Sequence, residues 1–153
     1  LPLEDFFIAY GKQDRQPGEF VESVSVPVPG DGERFAVYKV TNRRDEDITA
    51  VLGAFRLSLR PDCTVDSIVI AYGGMAATPK RARRVEAALV GRPWIEATVD
   101  AALAEYDAEF APLTDMRATA DYRRMVAKNL LRRFLLETLG DGAPLQVSRQ
   151  AAA

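Results

Sequence analysis

Apolar and polar positions along the chain change period near Tyr72. Before it the dominant period is two. Phe20 to Pro27 alternates with Val24, Val26 and Val28 on one face and reads as a strand. Pro29-Gly30-Asp31-Gly32 marks a turn or boundary. Phe35 to Thr41 reads as the next strand, with Phe35, Val37 and Lys39 on one face and Ala36, Tyr38 and Val40 on the other. Phe55, Leu57 and Leu59 alternate with Arg56, Ser58 and Arg60, a strand with one wet face, and Pro61-Asp62 turns the chain. Val65 to Tyr72 is β-branched and apolar on both faces, the pattern of a central strand. Ahead of these, Leu3 to Tyr10 is a short apolar cluster closed by Gly11.

After Gly73-Gly74 the period becomes helical. Thr78 is placed to cap a helix with Pro79 at its first position, and Ala82, Val85 and Leu89 line one side until Gly91 and Pro93 end it. Ile95, Val99, Ala102, Leu103, Tyr106 and Phe110 form a second apolar stripe. A third helix is predicted from about Thr119 to Leu139, with Tyr122, Met125, Val126 and Leu130 on one face. Its second half, Leu131, Phe134, Leu135, Leu136 and Leu139, is apolar nearly all round, which predicts burial on several sides or a covering partner. The Gly- and Ala-containing stretch 141–153 is expected to be poorly ordered. Strands followed by helices mean an α+β fold: a small antiparallel sheet of three to four strands with three helices packed on one face.

Composition narrows the chemistry. With 153 residues the chain is long enough for one self-sufficient core, and 48% hydrophobic residues exclude a disordered or fibrous chain. The net charge of −2 provides no general attraction to nucleic acid, and no stretch approaches the ~18 apolar residues of a membrane span. There is no His, which excludes Ser-His-Asp and Cys-His catalysis and His-ligated zinc. The single Cys63 forms no internal disulfide and cannot hold an iron–sulfur cluster alone. It suits a reducing compartment, and no signal-peptide pattern is present, so a cytoplasmic location is expected. The start at Leu1-Pro2-Leu3 leads to the expectation of a piece of a longer protein.

Candidate chemistry is sparse. Asn42 to Asp47 carries Arg43, Arg44, Asp45, Glu46 and Asp47 between two strands, and reads either as a solvated turn or as a charged gate beside a ligand. Lys39, on an apolar strand face, either snorkels to water or aims a cation at an anionic ligand. Lys80, Arg81, Arg83 and Arg84 crowd a predicted helix N-terminus, where the dipole disfavours each cation by about 0.3–1 kcal/mol. That run reads as a solvated face or as a hint of an acidic partner. Gly73-Gly74 is too short for a phosphate loop. Trp94 reads as a core plug between helices. Asp115, Asp121 and Glu137 show no partner that would make a general acid/base pair.

Tyr38-Lys39-Val40-Thr41-Asn42-Arg43-Arg44-Asp45-Glu46-Asp47-Ile48, followed by Ala71-Tyr72-Gly73-Gly74-Met75-Ala76, resembles the flavin domain of xanthine dehydrogenases. These belong to the molybdenum hydroxylases, with carbon monoxide dehydrogenase as a relative. Glu86 to Trp94 is similar to the first helix of that domain's C-terminal part, Asp115 to Arg123 to the entry of its last helix, and Leu3 to Pro27 to the end of its middle part. The resemblance implies three segments: 1–29 as the end of the middle part, 30–140 as the C-terminal α+β subdomain, and the tail 141–153.

It also implies a role. FAD would take electrons from two iron–sulfur (2Fe-2S) clusters, fed by a molybdenum cofactor, and would reduce NAD⁺. The Gly-rich FAD loops, the iron–sulfur domain and the molybdenum-binding subunit would lie in other parts of the enzyme. Lys39 is implied as a flavin contact, Val21 as an apolar residue packed beside the isoalloxazine ring, and Asn42 to Asp47 as a loop on the flavin's side that affects NAD⁺ access. No catalytic acid or base and no metal ligand is implied within the chain. The other reading is a non-catalytic docking module, seated on neighbouring subunits or on a second copy through residues 119–139 and the basic run.

Overall fold

The structure, a computed structural model, describes residues 1–43 and 46–140. Arg44, Asp45 and the tail 141–153 lie outside the described residues. The chain opens with one helical turn, α1 (Leu3–Phe6), and a small hairpin of β1 (Phe7–Ala9) and β2 (Lys12–Gln13). The predicted strand over Phe20 to Pro27 does not form. Residues 20–29 have no regular secondary structure, and Val24, Val26 and Val28 are 63%, 78% and 89% exposed. Alternation supplies an apolar edge, but a strand also needs a neighbour for its backbone groups, and no described residue takes that place.

The main sheet is antiparallel, in the order β3 (Arg34–Val40), β4 (Val51–Leu59), β5 (Val65–Gly73), β6 (Lys80–Arg81). Its register sorts the two faces as the alternation predicts. Ala36 stands opposite Phe55 and Phe55 opposite Ile70, while Tyr38, Gly53 and Tyr72 form the next row of the inner face. Phe35, Arg56 and Val69, then Val37, Ala54 and Ala71, then Lys39, Leu52 and Gly73, form the rows of the outer face.

Helices α2 (Arg83–Leu89), α3 (Glu96–Ala102), α4 (Glu105–Glu109) and α5 (Ala120–Leu139) cover the inner face, which makes the fold α+β. The second predicted stripe is divided at Leu103-Ala104 into two short helices, with Val99, Ala102, Leu103, Tyr106 and Phe110 all buried. Aromatic rings knit the layers together: Phe55 stacks on Phe134 at 5.1 Å, and Tyr72 meets Tyr106 and Phe110 edge-on. Such pairs contribute about 0.5–1.5 kcal/mol each beyond their buried area. The Tyr72 and Tyr106 hydroxyls bond each other at 2.7 Å, and Tyr72 also donates to the Ala127 carbonyl. Trp94 is buried as expected, its Nε1 donating to Thr138 Oγ1 at 2.8 Å.

Three expectations change. First, Thr78-Pro79 does not start a helix. The chain stays extended, and Lys80-Arg81 pairs with Ala71 and Tyr72 on the open edge of β5. Ala82 N–H donates to the Ile70 carbonyl, and buried Glu86 accepts the Ile70 N–H at 2.8 Å, so the edge is satisfied before α2 begins at Arg83. An open strand edge outweighs a local capping signal.

Second, the basic run is paired inside the chain. Lys80 meets Glu109, Arg81 meets Glu86 and Glu4, Arg83 meets Glu4, and Arg84 meets Glu105. It therefore gives no sign of an acidic partner. Third, the second half of α5 is not buried all round: Leu131, Phe134 and Leu135 lie at 0%, 1% and 2% exposure in the chain's own core, the first of the two outcomes expected for this end, whereas Leu136 and Leu139 do not. Tyr122 and Met125, expected on the inner face, are exposed instead, together with Leu136 and Leu139. The inner stripe is Arg123, Ala127, Leu130, Leu131, Phe134 and Leu135. No described helix is long and apolar enough to cross a membrane.

Candidate functional site: an open sheet face beside a charged hairpin loop

Helices cover one face of the sheet and leave the other open. On the open face Phe35 and Val37 are 58% and 49% exposed, while Leu52, Ala54, Val69 and Ala71 are half-buried. Across the strands their neighbours are small or aliphatic toward the Lys39 end, while Arg56 stands between Phe35 and Val69 at the other end, paired with Glu33 at 3.7 Å. Lys39 is exposed at one end of it, opposite Leu52 and next to the base of the β3–β4 connection. Alternation along β3 puts it there: Tyr38 and Val40 point to the core, so Lys39 cannot.

The connection is closed by Ala50 N–H donating to the Val40 carbonyl at 2.9 Å. Asp47 organises its interior. One carboxylate oxygen accepts the Arg43 N–H at 2.9 Å, the other accepts the Ile48 N–H, and the Arg43 guanidinium stands 3.7 Å away. The Arg43 N–H bond foremost, then the Ile48 N–H and the Arg43 charge, hold the Asp47 carboxyl below its ordinary value. Glu46 sits in the left-handed region at φ +49°, with its carbonyl accepting from Arg43 Nη2. Asn42 reaches out of the loop and donates from Nδ2 to the Arg117 carbonyl at 3.1 Å.

Lys39 and the described loop residues Asn42, Arg43, Glu46 and Asp47 thus share one end of the sheet. Val21 is elsewhere. It is exposed in the extended segment and lines a groove of about 760 Å³ with Leu3, Phe6 and Phe20, and Lys39 does not border that groove.

Beneath the loop is a residue that the apolar pattern passes over. Arg123, 4% exposed, points its guanidinium at the sheet. Nη1 donates to the Ala50 and Gly74 carbonyls, Nη2 donates to Asp115 at 2.7 Å, and Nε is buried without a partner among the described residues. Asp115 also accepts the Arg117 and Ala118 N–H groups, and the Arg117 bond foremost holds its carboxyl below the usual range. Gly74, at φ +80°, lets the exit of β5 come this close. A Cβ there would overlap the Ala50 carbonyl oxygen and stand 3.0 Å from Arg123 Nη1. The signal for Arg123 is its spacing, since it falls four residues before Ala127 on the buried stripe of α5.

A mostly apolar stretch of sheet with an exposed lysine at one end, and with its arginine paired to Glu33 toward the other, fits one side of a planar ring that gains negative charge. Among the described residues no group of three His, Cys, Asp or Glu could hold a metal ion.

Residues 36–138 match the family described as the CO dehydrogenase flavoprotein C-terminal domain, and the chain belongs to it. It is 34% identical over 140 residues to nicotinate hydroxylase hnxS of Emericella nidulans, covering 88% of this chain and 10% of that protein. It is 30% identical over 145 residues to xanthine dehydrogenase of the same organism, covering 91% and 10%. Among solved structures, CO dehydrogenase from Oligotropha carboxidovorans superposes with a TM-score of 0.77 at 28% identity, over 85% of this chain and 45% of that one. Quinoline 2-oxidoreductase from Pseudomonas putida 86 gives 0.72 at 27% identity, over 88% and 46%. The chain thus spans about a tenth of the two fungal relatives and under half of the bacterial chains.

Proposed function

We propose that the chain forms one wall of an FAD site in a molybdenum-dependent hydroxylase of the xanthine dehydrogenase kind. The observation that carries this reading is the placement of Lys39, exposed at the end of an open sheet face and beside a charged loop. When bound, FAD supplies the hydride and electron-transfer chemistry. Lys39 favours the added negative charge of the reduced ring. A unit charge about 6 Å away at an effective dielectric near 20 is worth roughly 2–3 kcal/mol, or about 45–65 mV for a two-electron couple. Asp47 keeps Arg43 folded against the loop, so the described part of Asn42–Asp47 presents paired charge to the ring and to the anionic phosphates of NAD⁺. Val21 would pack beside the ring, which requires its segment to be covered by a part of the protein upstream.

On this reading the chain works with an iron–sulfur domain carrying 2Fe-2S clusters and with a molybdenum-binding subunit, in the cytoplasm, with NAD⁺ as acceptor. Subunit contact through residues 119–139 would use the exposed Tyr122, Met125, Leu136 and Leu139. That exposed set also favours the second reading, a docking module without a flavin role. Replacing Lys39 by Gln in the intact flavoprotein separates the two: the flavin midpoint potential falls if Lys39 faces the ring, and stays at the wild-type value if the chain only docks.

A further inference from the structure

We infer that Arg123 is a positioning residue for the flavin-facing edge: one buried guanidinium fastens both ends of the β3–β4 connection to the exit of β5, and so sets where Lys39 and Arg43 stand. The inference rests on the reading that this edge faces FAD. Arg123 Nη1 holds the loop's C-terminal end through the Ala50 carbonyl and the strand exit through Gly74. Nη2 holds Asp115, whose loop presents the Arg117 carbonyl to Asn42 Nδ2, and this reaches the loop's N-terminal end.

A core position on α5 would ordinarily be filled by an apolar side chain, as it is at Ala127, Leu130 and Phe134. Burying a cation there is unfavourable unless every strong partner is met, and leaving Nε unbonded adds to the cost. The arrangement is nevertheless specific. A planar fork reaches acceptors on three separate segments at once, which a lysine's single ammonium does not. Gly74 is needed for the same contact, because only a residue without Cβ lets its backbone come against Ala50. Arg123 therefore fastens the end of the charged loop to the exit of β5, and the Ala50 N–H, donating to the Val40 carbonyl, ties that same end to the strand that carries Lys39.

The test uses the intact flavoprotein with Arg123→Gln, Arg123→Lys and Asp115→Asn, and Lys39→Gln beside them. The readouts are the flavin midpoint potential and KM against kcat for NAD⁺. As a control for loss of stability alone, Tyr72→Phe removes a buried hydroxyl from the same core. We expect Arg123→Gln to retain flavin, to lower the potential in the direction of Lys39→Gln but by less, and to raise KM for NAD⁺ more than it lowers kcat. Arg123→Lys should recover part of the shift, and Tyr72→Phe should leave the potential unchanged. Should Arg123→Gln fail to fold, Asp115→Asn, which leaves the two carbonyl bonds in place, is expected to shift the potential in the same direction. A shift with Lys39→Gln and none with any folded Arg123 or Asp115 variant overturns the positioning role alone. Wild-type potentials in every variant, Lys39→Gln included, overturn the flavin-facing reading and this inference with it.

Discussion

Adjacent glycines with opposite requirements offer a sharp check on the geometry beneath the loop. Gly74 lies at φ +80°, and an added Cβ would overlap the Ala50 carbonyl oxygen. Placing alanine in the left-handed region costs about 1–2 kcal/mol. Relieving the overlap requires Ala50 or Gly74 to move off Arg123, and a hydrogen bond to a charged group is worth about 1.5–3 kcal/mol. Gly74→Ala should therefore lose about 2.5–5 kcal/mol, a large share of the ~5–15 kcal/mol that holds a typical domain folded. With a urea slope near 2 kcal/mol/M, the unfolding midpoint falls by about 1.2–2.5 M. Gly73→Ala is the counterpart: its nearest neighbour would be Leu52 Cβ at 3.8 Å, ordinary van der Waals contact. Its midpoint should stay within error or rise slightly, because alanine restricts the unfolded chain more than glycine. Equal midpoints for the two variants, or a loss under about 1 kcal/mol for Gly74→Ala, would refute the close approach of Gly74 to Ala50 and Arg123.

Phe134→Ala, stacked on Phe55 and buried, should cost about 3–5 kcal/mol, whereas Leu136→Ser on the exposed side of α5 should change stability by no more than about 0.5 kcal/mol. Urea titrations of both variants check which side of α5 is core. Asp47 and Asp115 have carboxyls held below the ordinary value, so each contributes stability that is fully present above the unfolded aspartate pKa of about 3.9. That contribution is lost as pH falls through the folded values. Amide exchange at the β3–β4 connection should be unchanged between pH 7 and 5, after correction for intrinsic rates, and should lose protection below about pH 4.

Much of the fold was legible because it rests on periodicity. Alternation from Phe35 to Thr41 placed Lys39 opposite to Tyr38, and the structure puts these two on opposite faces of β3. Thr119 caps α5 by accepting the Tyr122 N–H at 3.2 Å, close to the start expected from the apolar run. What was hidden depends on partners distant in sequence. Phe20 to Pro27 has a strand's pattern but, among the described residues, no strand to pair with. Thr78-Pro79 has a cap's pattern but lies beside an open sheet edge. On α5, following apolar character pointed to Tyr122 and Met125, whereas the buried stripe begins with a charged residue whose partners are backbone carbonyls at 50 and 74. Asp115 looked unpartnered for the same reason, because its cation is Arg123.

On the proposed function, the open face ending in Lys39 lies against the flavin. Amine acylation of the intact flavoprotein, stripped of FAD and then reconstituted, tests this by the labelling of each lysine. Lys128, paired with Asp107 among the helices, serves as the reference. Labelling of Lys39 is expected to fall several-fold when FAD is restored while that of Lys128 stays the same. Equal labelling of Lys39 with and without FAD would contradict the account.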